Sequence, residues 1–543
     1  MITLLLSTAF LALAFLFKKP FIRMLVKSPI DNIPGPTPES FWKGVFRKVF
    51  NPNAQEFLEE IARTYGSVIK IQSFLGDNWL YIFDPVALYN IVVKEQNVFE
   101  ETDGFIEGNK LAFGEGLLGT LGEQHRKQRK MLNPVFSIAH MRGMVPIFYD
   151  VAEKLRGTLL KKVQDGPQEI DVLSWMSRTS LELIGQSGIG YSFDDFTEEH
   201  PPHEYATSYK QYAPAAYKFV FVRNYLLSTL VKIGSPRFRR SVVDMLPGED
   251  VRHLKNIINI MHDTSVMIYK SKRKAIAQGD AALADQIGRG KDIMSILMGA
   301  NMSASAQDSL TEDEVIAQIS TLTAAATDTT SSALTRVLHL LAQNPDAQEK
   351  LRREISEAKE TMDQFGYDQL DSLPYLDAVC RETLRVYPPV YMVPKTARRD
   401  TILPLSNLIK GLDGSEIREI PIPAGTNVIV AIAAANCNPE LWGPDSYEWK
   451  PERWLKSLPE AVSQARIPGV YSNLMSFLGG GRACIGFKFS LIEMKVILAV
   501  LIESFRLSLS DQDIHWQLAE VSSPTVCEGG VSRSQLPLLI QRV

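Results

Sequence analysis

From about residue 50 to residue 543 this chain is a succession of helical patterns, with no internal repeat and no linker between them. Apolar positions recur at helical spacing around 122–132, 141–164, 171–188, 250–278, 312–342, 345–362, 375–386 and 486–505. Strand signals are few. SVIKIQSF and NWLYIFDP (67–74 and 78–85) predict a hairpin, and the turn- and proline-rich stretch 388–476 holds short candidates such as ILPL and TNVIV. Length alone would suggest two or three domains. Glycine and proline nevertheless punctuate the chain throughout rather than clustering, which predicts one large, mainly helical domain over 41–543 with a small β region.

A hydrophobic fraction of 45% beside 22% charged residues excludes both a disordered chain and a multi-span membrane protein. The net charge of −4 comes with no basic stripe, no interleaved aromatics and no GxxxxGK[ST] loop, so no nucleic-acid partner is expected. The amino terminus stands apart. Ile2 to Phe17 carries no charge and runs straight into Lys18 and Lys19. That stretch is a little short of the roughly 20 residues that span a bilayer core, and FIRMLV can extend it at the interface. A cleaved signal peptide would carry its positive charge before the apolar run, and here nothing basic precedes it. Residues 1–27 therefore predict an uncleaved single-pass anchor, with Lys18, Lys19, Arg23 and Lys27 holding the following domain in the cytosol. The proline-rich segment 28–40 predicts a stiff, extended hinge.

Four cysteines, at 380, 437, 484 and 527, show no paired spacing and suit neither a disulfide framework nor a four-cysteine zinc site. A lone cysteine is commonly just a small buried hydrophobe. Cys484 has unusual neighbours, however: FLGGGRACIG places it after Gly479, Gly480, Gly481 and Arg482, at the start of the apolar helix IGFKFSLIEMKVILAVLIESF. A helix N-terminus favours an anion and draws a thiol toward the thiolate. The glycines allow close approach to a flat ligand, and Arg482 can pair with a carboxylate on it. A thiolate beside a planar, carboxylate-bearing group points to haem iron with a cysteine axial ligand.

Phe477, Gly480, Arg482, Cys484 and Gly486 together resemble the FxxGxRxCxG signature of the cytochrome P450 family. The resemblance implies a helix-rich fold with a smaller β region and Cys484 as the proximal ligand of haem b. It also implies Arg482 on a propionate and Phe477 packed near the sulfur. AATDTTSS (325–332) is similar to the family's oxygen-binding helix, with Ala326 where glycine is usual. Asp328 and Thr329 would then be the catalytic acid and alcohol that relay protons; the bland reading is a Thr/Ser-rich helix whose hydroxyls bond back to its own carbonyls. Glu382 and Arg385, with Arg453 downstream, resemble the buried charge network of the family. In GEQHRKQRKMLNPVFS, His125 stands where tryptophan is usual and Arg129 is retained. Both would meet propionates, unless His125 is merely a surface residue. Lys395 takes a position that is usually arginine and cannot make its bidentate contact.

No dinucleotide-binding GxGxxG follows a strand, so electrons must come from outside. The anchored architecture resembles microsomal members served by NADPH-cytochrome P450 reductase, which carries the flavins, with cytochrome b5 as an additional partner. That places the chain in the endoplasmic reticulum membrane. Arg126, Lys127 and Lys130 are candidate docking cations, or simply a solvated basic face. Substrate-lining segments implied by the resemblance are mostly apolar or small, which favours a lipophilic substrate, and the overall style resembles fungal members acting on terpenoids and other secondary metabolites. The expected reaction is insertion of one oxygen atom from dioxygen. The alternative is a haem-thiolate isomerase or dehydratase that acts on a hydroperoxide without a reductase, against which the Asp328–Thr329 pair speaks.

Overall fold

The computed structural model describes residues 28–197, 203–279, 282, 287–288, 290–360, 364–528 and 531–543. The expected anchor at 1–27 lies outside the described residues. Among the described residues no helix is long and apolar enough to cross a membrane. The chain separates into two compact units: unit 1 holds residues up to 100 with 391–446 and 459–483, and unit 2 holds 101–390, 447–458 and 484–543.

Unit 1 carries the β region. After helix α1 (Gln55–Tyr65), strands β1 (Val68–Gln72) and β2 (Asn78–Ile82) form the expected hairpin, with Val68 opposite Ile82. β2 runs parallel to β4 (Asn427–Val430), and β4 pairs antiparallel with β3 (Val393–Ala397), so Leu80, Ile82, Val428 and Val430 bury together. A separate ribbon joins Thr401–Lys410 to Glu416–Ile422. The start of the expected hinge is not a free extended spacer. Pro29–Asn32 makes a turn of 3-10 helix whose Ser28 and Asp31 cap each other, and Ile30 and Ile33 are buried. The Lys70 N–H donates to the Pro34 carbonyl at 2.9 Å, and the Asn32 amide donates to Asp413 at 2.9 Å. Capping and apolar burial overcome the stiffness of the prolines.

Unit 2 is helical: α2 (Gly122–Leu132), α3 (Ile138–Lys162), α4 (Val172–Leu183), α5 (Glu204–Tyr217), α6 (Glu249–Gln278), α7 (Glu312–Gln343), α8 (Pro374–Val386) and α9 (Phe487–Ser504) are its main helices. Two three-stranded sheets accompany them. α7 starts where the sequence says it should: the Thr311 hydroxyl accepts from the Glu314 N–H at 3.2 Å while Glu314 accepts from the Thr311 N–H at 2.9 Å. α9 is apolar enough to be buried from Ile492 to Ile502 without a break. Helices at 103–113, 204–217 and 293–303 were not expected from periodicity.

Candidate active site

Along α7 every residue from Glu314 to Ala342 is buried except Ala325, Ala326, Asp328 and Thr329. These four fall within one turn on one face. Asp328 on this turn is enclosed by protein although it keeps accessible surface, so the turn is open without lying on the exterior.

The two polar residues of that turn are held differently. The Thr329 hydroxyl donates to the Ala325 carbonyl at 2.8 Å, and Thr323 and Thr327 bond back in the same way. Back-bonding is therefore real, but at Thr329 it leaves the oxygen lone pairs turned outward as acceptors. Asp328 keeps some accessible surface yet is enclosed by protein. Its pKa is pushed up to about 7, first by burial and further by the charge of Glu520, with a hydrogen bond to Tyr209 and the charge of Lys210 pulling the other way. An acid half-protonated near neutrality suits proton transfer.

Cys484 precedes the first turn of α9, whose cap is Gly486. It is accessible by surface yet surrounded by protein, so its sulfur also faces an interior space. Burial pushes the thiol up, and the Gly486 N–H and the charge of Arg129 only partly offset it. The expectation that a helix start would by itself keep the sulfur ionised is thus corrected: desolvation wins, and a bound cation is what would hold the thiolate. Gly486 has no close neighbour that a Cβ would strike, the nearest being Phe136 at 3.8 Å.

On α2, His125 is buried whereas Arg126 and Lys130 are exposed. His125 is not a surface residue, and it shares a face with Arg129, four residues on. The exposed pair is already partnered: Arg126 with Glu123 at 2.5 Å and Lys130 with Asp308 at 3.3 Å.

Phe477, Arg482 and Lys395 belong to unit 1. Lys395 is buried on β3. The Phe477 ring meets Tyr471 edge-on at 5.6 Å. Gly480 adopts φ +65, and a Cβ on it would lie 1.8 Å from the Val92 carbonyl; one on Gly479 would lie 1.9 Å from the Pro468 carbonyl. The Gly481 N–H donates to Gln96 at 2.6 Å. The glycines are therefore demanded by the loop's packing on its own unit, a reason distinct from the close ligand approach expected.

The charge network forms as expected. Arg385 grips Glu382 with two bonds of 2.8 Å, both side chains fully buried, and Arg453 reaches Glu382 at 3.4 Å. Sequence reading missed two supports: Trp454 donates to Glu382 at 2.9 Å, and the Lys450 N–H donates to it at 3.0 Å. The tryptophan beside Arg453 in PERW was the available signal.

Residues 33–525 match the Cytochrome P450 family. The chain belongs to that family. It is similar to a cytochrome P450 monooxygenase of Postia placenta, at 48% identity over 97% of both chains. It is also similar to a ganoderic acid synthetase of Ganoderma lucidum, at 44% identity over 94% of each, and to a monooxygenase of Hericium erinaceus at 34% over 93%. This cytochrome P450 is accordingly a monooxygenase, an oxidoreductase, with the mainly helical fold and small β region expected. The residues present fit a haem: an enclosed yet accessible thiol, a backbone N–H and an arginine acting on it, and a buried histidine beside that arginine.

Proposed function

We propose that this protein oxygenates a terpenoid or similar lipophilic secondary metabolite at a haem b ligated by the Cys484 thiolate. The observation that carries this reading is the single accessible turn of α7, which offers an acid and an alcohol from a helix otherwise buried all round. When bound, a haem held by the Cys484 thiolate would supply the activation of dioxygen. His125 and Arg129 would neutralise its carboxylates, while Lys395, Arg482 and Phe477 carry only the roles that the family resemblance implies for them. Asp328 would hold a proton at its carboxyl and regain it from solvent, while the Thr329 oxygen, its own proton held by Ala325, would accept a hydrogen bond at the accessible turn. Ala326 narrows the space beside it and constrains substrate orientation.

Electrons come from a membrane-bound NADPH reductase, with the N-terminal segment anchoring the enzyme in the same endoplasmic reticulum membrane and cytochrome b5 as a second donor. Arg126 and Lys130 contribute to docking only by exchanging their internal partners, so their share is small at physiological salt. Similarity to a ganoderic acid synthetase supports a terpenoid substrate.

The test uses microsomes carrying this chain and a reductase, supplied with NADPH, labelled dioxygen and panels of terpenoids, fatty acids and small aromatics. One labelled oxygen in a terpenoid product is expected. Hydroperoxide consumption without NADPH, and no labelled product, would overturn the reading.

A further inference from the structure

Two anchors bracket the accessible turn of α7. Just before it, the Tyr209 phenol of α5 donates to the Ala324 carbonyl at 2.6 Å. Just after it, the Ser332 hydroxyl donates to the Ser522 carbonyl at 2.6 Å, at the foot of the hairpin that pairs Ile514–Leu518 with Ser522–Glu528. That hairpin turns through only Ala519, Glu520 and Val521, so its tip stays within a few residues of α7. From the first anchor the chain runs along α5 into the short helix Val220–Tyr225. Arg223 of this helix pairs with Glu520 of the tip, which joins the two segments.

One side of this contact is firmly bedded and the other is not. A Cβ on Gly104 would lie 2.5 Å from the Arg223 carbonyl, and one on Gly108 would lie 3.1 Å from its Cδ. These two glycines, one turn apart on the helix Asp103–Phe113, form the bed in which Arg223 lies. Phe113 of that helix meets Tyr212 of α5 with ring centroids 5.3 Å apart, and a Cβ on Gly114 would lie 2.9 Å from the Ala317 Cβ on α7. Asp103–Phe113, α5 and Val220–Tyr225 thus pack together against α7. Glu520 instead stands exposed on a three-residue tip, and the Arg223 Nε, though buried, has no acceptor.

We propose that the Arg223–Glu520 ion pair is a latch on the substrate's way to the accessible turn: the hairpin tip lifts from Val220–Tyr225 to admit a bulky lipophilic molecule, and the ion pair closes behind it. This rests on the reading that substrate is oxidised beside that turn, and it adds the contact that gates entry. The turn is enclosed by protein, so a molecule that reaches it has to part some pair of segments. Parting the bedded helices would break apolar packing. Parting the tip breaks one partly exposed ion pair, which is weak and therefore opens readily. The charge of Glu520 also raises the pKa of Asp328, Tyr209 and Tyr212 alike, in keeping with a latch beside the accessible turn.

The experiment compares how a small and a bulky probe enter the full-length haem-loaded protein. The probes are imidazole and clotrimazole, an imidazole that carries three aromatic rings, each followed by stopped-flow absorbance of the haem. Glu520→Lys turns attraction into repulsion and should speed clotrimazole association about fivefold while leaving imidazole unchanged. Raising salt from about 0.05 to about 0.5 M should speed clotrimazole entry into the wild type but not into Glu520→Gln. Arg223→Glu combined with Glu520→Arg should restore slow entry. Equal clotrimazole rates in wild type and Glu520→Lys, the same gain for imidazole, or wild-type entry indifferent to salt overturns the proposal. Hydrogen exchange of the amides of 220–225 needs no haem; it should quicken in Glu520→Lys and return to the wild-type rate in the double variant. Unchanged exchange overturns the latch as well. A missing haem-thiolate spectrum with carbon monoxide in the reduced wild type would sink the proposed function, while the exchange would still decide the latch.

Discussion

Replacing Asp328 by Asn should make the protein more stable as it makes it a worse enzyme, and the pH dependence of the gain is the diagnostic. The acid has an ordinary pKa of 3.8 when the chain is unfolded and about 7 in the folded unit, with burial as the largest cause. Below pH 3.8 both states are protonated and the site costs nothing. Between 3.8 and about 7 the folded state holds a proton that the unfolded state has released, so rising pH lowers stability by about 1.4 kcal/mol per unit. The accumulated loss levels off above pH 7 at roughly 4 kcal/mol, an upper figure because the side chain retains some accessible surface. Asparagine has the shape of the neutral acid and no proton to lose. The difference in urea midpoint between variant and wild type should therefore climb steadily through the acid range and flatten above neutrality. A constant offset across that range would refute the reasoning, since a mere packing change has no pH dependence. The same variant should divert NADPH-derived electrons away from product, because the amide cannot donate and recover a proton in this pH range.

Three further outcomes are expected. Glu382→Ala leaves Arg385 as an uncompensated buried charge, costing about 3–5 kcal/mol, and should yield protein without bound haem in an absorbance assay; normal haem content would refute the scaffold role. His339 accepts from the Trp516 indole at 3.0 Å, and burial first, then the charge of Arg336, depresses its pKa from 6.5 to about 4. The stability it contributes is complete above pH 6.5 and is lost as pH falls toward 4, about 3 kcal/mol in all, so His339→Gln should flatten the acid limb of a thermal-melt profile. Gly480→Ala must move backbone rather than a flexible side chain at the Val92 carbonyl and should abolish soluble haem-loaded protein. Wild-type yield would show that the loop is not packed as described.

Much of unit 2 was legible because its helices keep a clean apolar period. α2 begins and ends at Gly122 and Leu132, as periodicity predicts, and α7 spans Glu312–Gln343 where periodicity predicts 312–342. The helices that escaped notice had weaker patterns: α5 contains Pro214, and Ile293–Ser303 is apolar on most sides. Site chemistry was legible as residue types but not as energies. The position of Cys484 at a helix start argued for a thiolate, and only the surrounding protein reveals that desolvation outweighs that help. The raised pKa of Asp328 could not be read at all, since nothing in the sequence shows how fully an acid on α7 is enclosed.

The Thr/Ser-rich run of α7 posed a choice between hydroxyls absorbed by their own helix and hydroxyls available for chemistry, and the back-bond seen at Thr329 does not exclude the second. Its proton is absorbed by Ala325, which fixes the rotamer and leaves the oxygen as a pure acceptor on the accessible turn. Under the proposed function, a threonine free to rotate could donate a hydrogen bond of its own and would then compete with the proton assigned to Asp328. A threonine locked as acceptor instead keeps its own proton turned to Ala325 and its outer lone pair open on the accessible turn. On that reading the local bond that looked like an alternative to function is a constraint compatible with separate tasks for the acid and the alcohol.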